Sequence, residues 1–447
     1  IGDKYLINHT IDHLKKINFI NEIYIATGKK SKNYIFKKKL KSIYKNLKFF
    51  FHKNEDKVVE RIYCISKKIK NKKILIISGD CPIIDNIFLK NIYSKFNKKN
   101  YDFSIANIKL QHEGILLTKK KIWSTINLNC KNNKLQEHPS LYLKKNKNKF
   151  NFMNIPFKKR DLHKGFRMSV DTESDLDFFN INYLNCKNKN INFNYDNLIK
   201  NNKYSYLNSH VKQKNENFDQ SKQINIITLK NKKFGLGHYK RALVIKREIL
   251  ERLSMVPKIF LLNNKKDINK LKKELNLKKD DNTRLYIFDI PKKYLVYFQN
   301  IKTFNKKIII DNFTKSQSDI TIIPSIRKIK SVNSIGPEYL ILNKKIIFDY
   351  LKWKMQKNKY IYDFVIITGG TFQISKKLLL DAIKLNKEKK IIFILGPFVS
   401  NKNKNLLKKN NLKYISNPKN YFNIILSSKN VISRFGNSVN EVIYLKK

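Results

Sequence analysis

Helical and extended patterns of apolar residues alternate along the first part of the chain. The series begins with apolar residues at helical spacing in LINHTIDHLKKI and continues with the strand pattern EIYIAT. A second helix and strand follow in KVVERIYCISKKI and KILIIS, and a third helix follows in IFLKNIYSKF. Strands that alternate with helices predict an α/β domain, in which helices cover both faces of a mostly parallel sheet.

A second α/β series follows a polar, aperiodic stretch that ends in NSHVKQKNENFDQSKQ. Its strand patterns are INIITL, KIFLL, LYIFDI, KIIIDN and ITIIPS, and its first helix pattern is YKRALVIKREILERL. The segment KIIFDYLKWKMQKN predicts a helix that joins this half to another, built from DFVIITGG, SKKLLLDAIKLN, KIIFILG and NVISRFGNSVNEVIYL. We therefore predict two Rossmann-like halves that face each other across a cleft. The predicted divisions are a first domain, a linker and two halves, at residues 1–205, 206–222, 223–350 and 351–447.

The charge of the chain raises the question of nucleic-acid binding, because it is +60 over 447 residues. Lys supplies 85 of the 94 basic residues and Arg only 9. Nucleic-acid readers rely on Arg, since its planar guanidinium matches phosphates and guanine edges. The Lys residues are also dispersed, as in NKNKNLLKKNN, instead of forming one stripe. We therefore attribute the charge to a compositional drift that places lysines on solvent-exposed faces. Nucleic-acid binding is the weaker alternative.

The cysteines and the hydropathy indicate the compartment. Four cysteines lie far apart and form no CxxC pair: Cys64, Cys81, Cys130 and Cys186. This spacing argues against a disulfide framework or a cysteine metal cluster and favours a reducing cytoplasm. No uninterrupted apolar segment approaches ~18 residues, so we expect no membrane insertion. The sequence leaves open whether the protein is a homodimer.

Two aspartates stand at the ends of apolar segments in the first domain. Asp80 follows a buried-strand pattern in KKILIISGDCPIID, and Asp171 follows an alternating strand pattern in FRMSVDTESDLDFF. One interpretation is local: Asp80 belongs to a turn, and Asp171 to Asp175 begin a helix. The other is chemical, because open α/β sheets bind ligands beyond the carboxyl ends of their strands. Two carboxylates there can hold Mg²⁺, which prefers oxygen ligands and keeps phosphates as partners.

Glycine turns precede several predicted helices of the second series. KKFGLGHYKRAL places Gly235, Gly237 and His238 at a helix start, where backbone N–H groups favour a phosphate or an oxyanion. A similar turn contains Gly369 and Gly370, and another lies in RFGNSVNE. Each turn is also explained as a helix cap, and a single histidine is commonly structural. The repetition of such turns at strand ends favours a cleft for a nucleotide diphosphate.

The first part of the chain resembles the cytidylyltransferases of the spore coat polysaccharide biosynthesis protein F type. These are relatives of the CMP-sialate and CMP-3-deoxy-manno-octulosonate synthetases. The likeness covers about residues 1–210 and rests chiefly on GDCPIID and VDTESDL. It implies that Asp80 and Asp171 hold Mg²⁺ and act in catalysis. It also implies contacts to the nucleotide from Asp56, Arg61, Glu137 and His138.

In that family, a first strand and a basic, glycine-containing loop that cradles the CTP phosphates precede the segment resembled by IGDKYLINHTI. Backbone N–H groups and a basic side chain around a triphosphate supply much of the electrostatic stabilisation of such a reaction. We therefore expect this strand and loop to lie ahead of Ile1 in a longer enzyme. Because EVIYLKK falls within a helix pattern, we expect a continuation at the other end as well.

The remainder resembles the UDP-sugar hydrolase of the pseudaminic acid pathway and, more distantly, glycosyltransferases with two facing Rossmann domains. The motifs GLGHYKRA, SIGPEYLIL, ITGG and RFGNSVNE occur in the hydrolase's order. The resemblance implies that His238 is the acid–base residue that activates water at the sugar anomeric carbon, and that Glu441 holds the ribose. It implies a diphosphate site at Gly436, Asn437 and Ser438. Phe435 departs from the small residue of the family, so hydrolase and transferase both stay open.

Together, these patterns predict a bifunctional sugar-nucleotide enzyme of bacterial surface glycan (nonulosonic acid) synthesis. The first domain would transfer CMP from CTP to an acid sugar, with Mg²⁺ as cofactor and pyrophosphate as leaving group. The second would hydrolyse a UDP-linked amino sugar, with glycosyl transfer as the alternative.

Overall fold

The chain folds into two compact units, Ile1–Ser209 (unit 1) and His210–Lys447 (unit 2). The computed structural model describes residues 1–106, 115–155, 167–212, 223–276, 284–298, 306–311, 320–324, 334–356, 358–370, 374–434 and 436–447. Most of the predicted linker, along with Phe166 and Phe435, lies outside these residues, and the predicted domain limits stay predictions. No helix in the described residues is long and apolar enough to cross a membrane.

Unit 1 alternates helices and strands as its sequence pattern predicts. Its strands are β1 Tyr24–Gly28, β2 Lys48–His52, β3 Lys73–Ile77, β4 Phe103–Ala106, β5 Ile115–Lys119 and β6 Phe152–Ile155. Its helices are α1 Leu6–Leu14, α2 Ser31–Ile43, α3 Val58–Lys68, α4 Asn86–Lys98, α5 Ile122–Asn129, α6 Asn133–Glu137, α7 Pro139–Lys145, α8 Glu173–Asn188 and α9 Tyr195–Lys200. Two 3₁₀ turns, Lys147–Lys149 and Asn202–Leu207, complete the unit's described helical elements.

The described strands of unit 1 form two sheets with mixed directions. β1 pairs with β2 in parallel, and the order β3-β5-β4-β6 makes a four-stranded sheet. In that sheet, β4 and β6 are parallel, whereas β5 runs antiparallel to both β3 and β4. The antiparallel pairs were not predicted. They follow from the short connection between β4 and β5, because a parallel crossover needs a dozen or more residues.

Apolar side chains cover the four-stranded sheet of unit 1 on two faces. On one face, α4 packs Phe88, Leu89 and Ile92 against strand residues that include Leu117 and Met153. On the other face, a separate cluster is built from Val59, Ile62, Phe103, Leu116, Trp123 and Ile126. Burying each large apolar side chain contributes about 1.5–3 kcal/mol, so these layers hold the sheet and the loops at its ends in place.

Unit 2 contains two more α/β layers. Its strands are β7 Gln223–Thr228, β8 Lys258–Leu261, β9 Arg284–Asp289, β10 Lys306–Ile310, β11 Ile320–Pro324, β12 Ile335–Gly336, β13 Tyr362–Ile367, β14 Ile391–Leu395, β15 Tyr414–Ser416 and β16 Ser428–Ser433. Its helices are α10 Gly237–Leu253, α11 Lys265–Asn276, α12 Lys292–Leu295, α13 Lys345–Met355, α14 Lys376–Asn386, α15 Asn401–Lys409, α16 Tyr421–Leu426 and α17 Asn437–Tyr444. Short 3₁₀ turns lie at Val296–Phe298 and Pro337–Tyr339.

Both described sheets of unit 2 are parallel throughout. The first has the order β12-β11-β10-β9-β7-β8 and the second the order β15-β14-β13-β16, with α13 between them in sequence. Neighbouring residues of β7 face opposite layers: Ile227 joins one core cluster and Ile226 another. Parallel strands buried on both faces read as continuous apolar runs, which is why the sequence pattern located them. The protein is thus an α/β protein with mostly parallel sheets.

One predicted strand is absent from the described residues. The alternating residues Met168 and Val170 predicted a strand that ends at Asp171, but residues 167–171 form no strand. Their backbone makes a bond across unit 1, from the Val170 N–H to the Asp80 carbonyl, at 2.9 Å. A single bond does not build a ladder. It does place the two predicted acidic segments side by side.

Candidate functional site

The loop that carries Asp80 is anchored on both sides. β3 ends at Ile77, and the Cys81 N–H donates to the Ser78 carbonyl, which closes a turn around Asp80. From α1, the Thr10 hydroxyl donates to the Cys81 carbonyl at 2.8 Å. Past the buried segment 82–84, Asp85 caps α4 by accepting the Phe88 N–H. The loop therefore holds the half-buried Asp80 in a defined position, three residues beyond the strand and not at its last residue.

Asp171 reaches the same place from the other segment. The bond between Val170 and Asp80 puts it next to the Asp80 loop, and both carboxylates act electrostatically on the Cys81 thiol. The Asp171 side chain is 46% exposed. Its Oδ2 accepts the Ser169 hydroxyl at 3.0 Å and also pairs with the Arg167 guanidinium. The structure thus brings together the two aspartates that the sequence singled out.

The helix-capping interpretation applies to Asp175 and not to Asp171. Thr172 and Asp175 form a capping box at the start of α8. The Asp175 carboxylate accepts the backbone N–H groups of Asp171 and Thr172 at 3.1 and 2.9 Å, and the Asn208 amide donates to its other oxygen. Burial raises the pKa of Asp175, while Arg167 and these hydrogen bonds partly offset the shift. Asp175 therefore holds the segment, and Asp171 keeps a solvent-facing carboxylate.

The donor chemistry beside Asp80 fits Mg²⁺. Burial, reinforced by Asp80, raises the pKa of the Cys81 thiol, which therefore stays protonated and lies 3.5 Å from the Asp80 Oδ1 as a weak donor. That leaves two carboxylates as the charged ligands. Among the described residues, no group of three or more His, Cys, Asp or Glu side chains can hold a metal. Mg²⁺ does not need one, because it is usually bound through one or two carboxylates together with substrate phosphates and water.

The other predicted nucleotide contacts lie on two adjoining helical segments. Asp56 is exposed ahead of α3, and Arg61 on α3 donates to the Glu55 carbonyl at 3.0 Å. Burial lowers the pKa of Arg61, while nearby Asp56 raises it. Glu137 and His138 are half-exposed at the end of α6, with 4.0 Å between their side chains. Among the described residues, no hydrogen bond joins these four to Asp80 or Asp171.

In unit 2, His238 belongs to a charged cluster at the carboxyl end of the first sheet. Its Nδ1 lies 2.6 Å from an oxygen of Asp289, the last residue of β9, whose side chain is fully buried. Because a carboxylate only accepts, Nδ1 carries the proton and donates it. In the neutral tautomer that this hydrogen bond selects, Nε2 is the nitrogen without a proton, and the side chain is 19% exposed.

An arginine completes this cluster. Arg241, one turn along α10, donates to both oxygens of Asp289 at 2.9 and 2.6 Å and to Asp311 at 2.8 Å. Burial alone would lower the pKa of Arg241, but the two carboxylates outweigh it and raise that pKa above the usual arginine value. Asp311 follows β10 directly and adopts a left-handed backbone, with φ +61°. Sequence reasoning missed these three residues, although LYIFDI and KIIIDN carry the same strand-then-aspartate signal as Asp80.

The predicted glycine turns fall into two groups. Gly235 and Gly370 pack backbone to backbone: a Cβ on Gly370 would lie 3.1 Å from the Gly235 Cα. In contrast, a Cβ on Gly237, Gly369 or Gly436 would meet no atom within 4 Å. Gly369 also has φ +75°, which favours glycine at that turn. The first pair brings the two halves of unit 2 together, and the second group leaves open space beside α10 and α17.

Glu441 on α17 lies near Lys240 and Tyr421 within unit 2. Burial raises its pKa, and nearby Lys240 and Tyr421 oppose the shift. Burial and Glu441 together raise the pKa of the Tyr421 hydroxyl. The Lys240 ammonium stands 5.7 Å from the centre of the Tyr421 ring, so α10 contacts the second half here. In the same turn, Asn437 begins α17, and Ser438 Oγ lies 3.0 Å from the Ser433 hydroxyl.

Comparison with known proteins identifies the first part of the chain. A family model described as "Cytidylyltransferase" matches residues 1–234, whereas the C-terminal half has no family assignment. A solved cytidylyltransferase structure from Leptospira borgpetersenii serovar Hardjo-bovis (strain JB197) is 19% identical, with a TM-score of 0.40, over 46% of this chain and 87% of its own. No curated protein shows a significant match. The chain belongs to the cytidylyltransferase family: the match covers unit 1 and runs into the start of unit 2, and it implies a nucleotidyltransferase domain with CTP as substrate.

Proposed function

We propose that the first domain transfers CMP from CTP to an acid sugar in a Mg²⁺-dependent reaction, with Asp80 and Asp171 as the metal ligands. The observation that carries this proposal is the backbone bond between Val170 and Asp80, which brings the segments that carry the two aspartates together. The family match supports CTP as the nucleotide. The acid sugar and the metal rest on the resemblance of GDCPIID and VDTESDL.

In this reaction, the anomeric hydroxyl oxygen of the sugar forms a bond to the α-phosphorus of CTP. The bond from that phosphorus to the oxygen bridging the α- and β-phosphates breaks, and pyrophosphate leaves. A bound Mg²⁺ would neutralise the triphosphate and orient it for in-line attack. Asp80 and Asp171 would hold the cation, while the anchored loop 78–85 and the capping box at Thr172 keep the carboxylates in position. The nucleotide contacts proposed for Asp56, Arg61, Glu137 and His138 would orient the cytidine.

The test is pyrophosphate release from CTP by the complete natural protein, with Mg²⁺ and a panel of acid sugars. Asp80→Ala should lower the rate by about a hundredfold or more, because charge stabilisation in phosphoryl transfer accounts for losses of that size. Asp85→Asn in the same loop is the matched control, since Asn caps a helix as well as Asp does. Full turnover by Asp80→Ala would make the metal assignment wrong.

For unit 2, we propose hydrolysis of a UDP-linked amino sugar, with His238 as the acid–base residue. The pairing of His238 with buried Asp289 favours this chemistry, because a carboxylate that holds Nδ1–H leaves Nε2 free to take a proton from water. The oxygen of that water would bond to the anomeric carbon as the bond from carbon to the UDP oxygen breaks. Glu441 would bind the ribose, and the turn at Gly436, Asn437 and Ser438 the diphosphate.

A glycosyltransferase is the alternative for unit 2. The two are separated by measuring UDP release from UDP-amino sugars with and without an added sugar acceptor. A hydrolase releases UDP at the same rate in both conditions, and His238→Asn should lower that rate by about 10²–10⁴-fold. Release that begins only when an acceptor is added would favour the transferase. A salt-independent affinity for RNA or DNA, tested in parallel, would dispose of the nucleic-acid alternative.

A further inference from the structure

One carboxylate of the proposed metal site already holds a cation from the chain itself. The Arg167 guanidinium donates from Nη2 to the Asp171 Oδ2, and the same Nη2 lies 3.1 Å from the Ser169 hydroxyl. That hydroxyl in turn donates to the Asp171 Oδ2 at 3.0 Å. Two donors therefore converge on one oxygen of a carboxylate that is proposed to bind the metal.

Arg167 is the fixed member of this pair. Its side chain is 13% exposed, against 46% for Asp171. The Asn208 amide donates to the Arg167 carbonyl at 3.2 Å and to the buried Asp175 at 3.1 Å, so the backbone of Arg167 is tied to the capping box of α8. The guanidinium also acts electrostatically on Asp175 and on the Cys81 thiol beside Asp80. It thus lies centrally among the acidic groups.

Two neighbouring carboxylates repel each other when no metal is present, and a guanidinium paired with one of them relieves that repulsion. Mg²⁺ demands near-ideal octahedral geometry from its ligands. An Asp171 oxygen that is engaged by Nη2 and by a hydroxyl has little lone-pair capacity left for such an ion. The cation and the arginine therefore compete for the same carboxylate.

We propose that Arg167 is an internal counter-ion that a divalent metal must displace from Asp171, so that this arginine sets the metal affinity of the site. The inference rests on the proposed function of the first domain, because it takes Asp80 and Asp171 as the ligands. Arg167 is a positioning residue: it acts on the metal through Asp171.

The test is direct metal binding without turnover. Mn²⁺ is titrated into the nucleotide-free protein, and free Mn²⁺ is followed by electron paramagnetic resonance. Arg167→Gln should bind Mn²⁺ about fivefold more tightly than wild type, which equals about 1 kcal/mol and is the upper range for an ion pair with an exposed partner. Arg167→Lys keeps the positive charge and should stay within about twofold of wild type. If Arg167→Gln fails to fold, Arg167→Met removes the same charge while keeping an unbranched side chain, and the same tighter binding is expected.

Two further variants separate the ways in which the inference can fail. Arg252→Gln removes the same charge from an exposed pair with Glu248 on α10, and Mn²⁺ affinity should not change. Asp80→Asn should abolish the binding. Arg167→Gln with affinity equal to or below wild type, while Asp80→Asn still abolishes binding, would overturn the counter-ion role alone. Binding that survives in Asp80→Asn would overturn the metal site, and with it the proposed function and this inference.

Discussion

The two candidate sites hold their charges in opposite ways. In unit 1, Asp171 has a 46% exposed side chain, and its described partners are one arginine and one hydroxyl. In unit 2, Asp289 is fully buried, and both of its oxygens are bonded to Arg241 while one also accepts from His238. The first carboxylate faces solvent, from which a ligand can reach it. Both oxygens of the second carboxylate are already bonded to other side chains of the protein.

This difference indicates which group does chemistry at each site. A buried charge is stable only when it is paired, and removing one partner costs far more than breaking an exposed pair. Asp289 and Arg241 thus have a structural role: they fix the position and the tautomer of His238. Asp171 has no such burden, so its carboxylate is free to change partners. Under the proposed functions, unit 1 would present its aspartates to a cation, whereas the aspartates of unit 2 would position a histidine.

The most direct test of this difference is to replace the aspartate by asparagine in each unit. Asp289→Asn leaves the buried Arg241 without its main counter-charge and should lower the unfolding free energy of unit 2 by about 3–5 kcal/mol. Asp171→Asn should lower that of unit 1 by no more than about 1 kcal/mol, since the carboxylate that it removes is the exposed partner of its pair. Equal losses of unfolding free energy in the two units would contradict the distinction between the buried, fully paired Asp289 and the exposed Asp171.

The chain contains a reporter for each measurement. Its two tryptophans fall in different units: Trp123 is fully buried in unit 1, and Trp353 packs partly buried in unit 2. Urea unfolding followed by fluorescence in a Trp123→Phe background reports unit 2, and in a Trp353→Phe background it reports unit 1. In the folded Asp289→Asn protein, ¹⁵N chemical shifts should also show that the protonated nitrogen of His238 is no longer fixed at Nδ1.

Acid should weaken unit 1 through a buried histidine on α1. Burial, together with Lys16, lowers the pKa of His13 to about 4 from an ordinary value of 6.5. Between those pH values, the unfolded chain binds the proton and the folded chain does not, so stability falls as the pH falls. The loss should total about 3 kcal/mol between pH 7 and pH 4. Burial lowers the pKa of His9 as well, so that residue adds to the loss in the same direction.

The variant His13→Gln checks this origin, because it should flatten the pH dependence of unit 1 unfolding reported by Trp123. His138→Gln is the matched control, since it removes a half-exposed imidazole from the same unit and should leave the pH dependence unchanged. An unaltered slope in His13→Gln would show that other groups cause the acid sensitivity.

The sequence predicted those elements whose apolar pattern is also their burial pattern. β9 and β14 contain continuous apolar runs, and β7 and β13 are largely apolar, because parallel strands in the middle of a covered sheet are buried on both faces. The antiparallel direction of β5 could not be predicted in that way. Direction depends on the length of a connection and on its neighbours, neither of which alters the hydrophobic period.

The candidate sites show the same limit. Asp80 and Asp171 were found because each follows an apolar segment, and the structure places them together. Asp289 carries the same signal and was missed, because its partner Arg241 lies in a helix pattern where a basic residue normally indicates a solvated face. The pairing of β7 with β9 brings Asp289 beside the first turn of α10. That register is a property of the folded sheet and has no local signature.

The substitution with the smallest expected effect on stability probes the open space beside the first turn of α10. Gly237 begins α10 beside His238, and a Cβ there would meet no atom within 4 Å. Gly237→Ala should therefore change the unfolding free energy of unit 2 by less than about 0.5 kcal/mol. It should weaken UDP binding by roughly tenfold, equal to about 1.4 kcal/mol, if the backbone of this turn approaches the diphosphate.

A neighbouring glycine supplies the control for Gly237→Ala. Gly370→Ala would place a methyl group 3.1 Å from the Gly235 backbone and should destabilise unit 2 measurably. Calorimetric titration of UDP into folded Gly237→Ala then isolates the ligand, because the fold offers nothing for the methyl group to touch. Wild-type affinity in that variant would mean that the open space beside His238 holds no phosphate. The cluster of Asp289 and Arg241 would then position His238 for a substrate other than a nucleotide sugar.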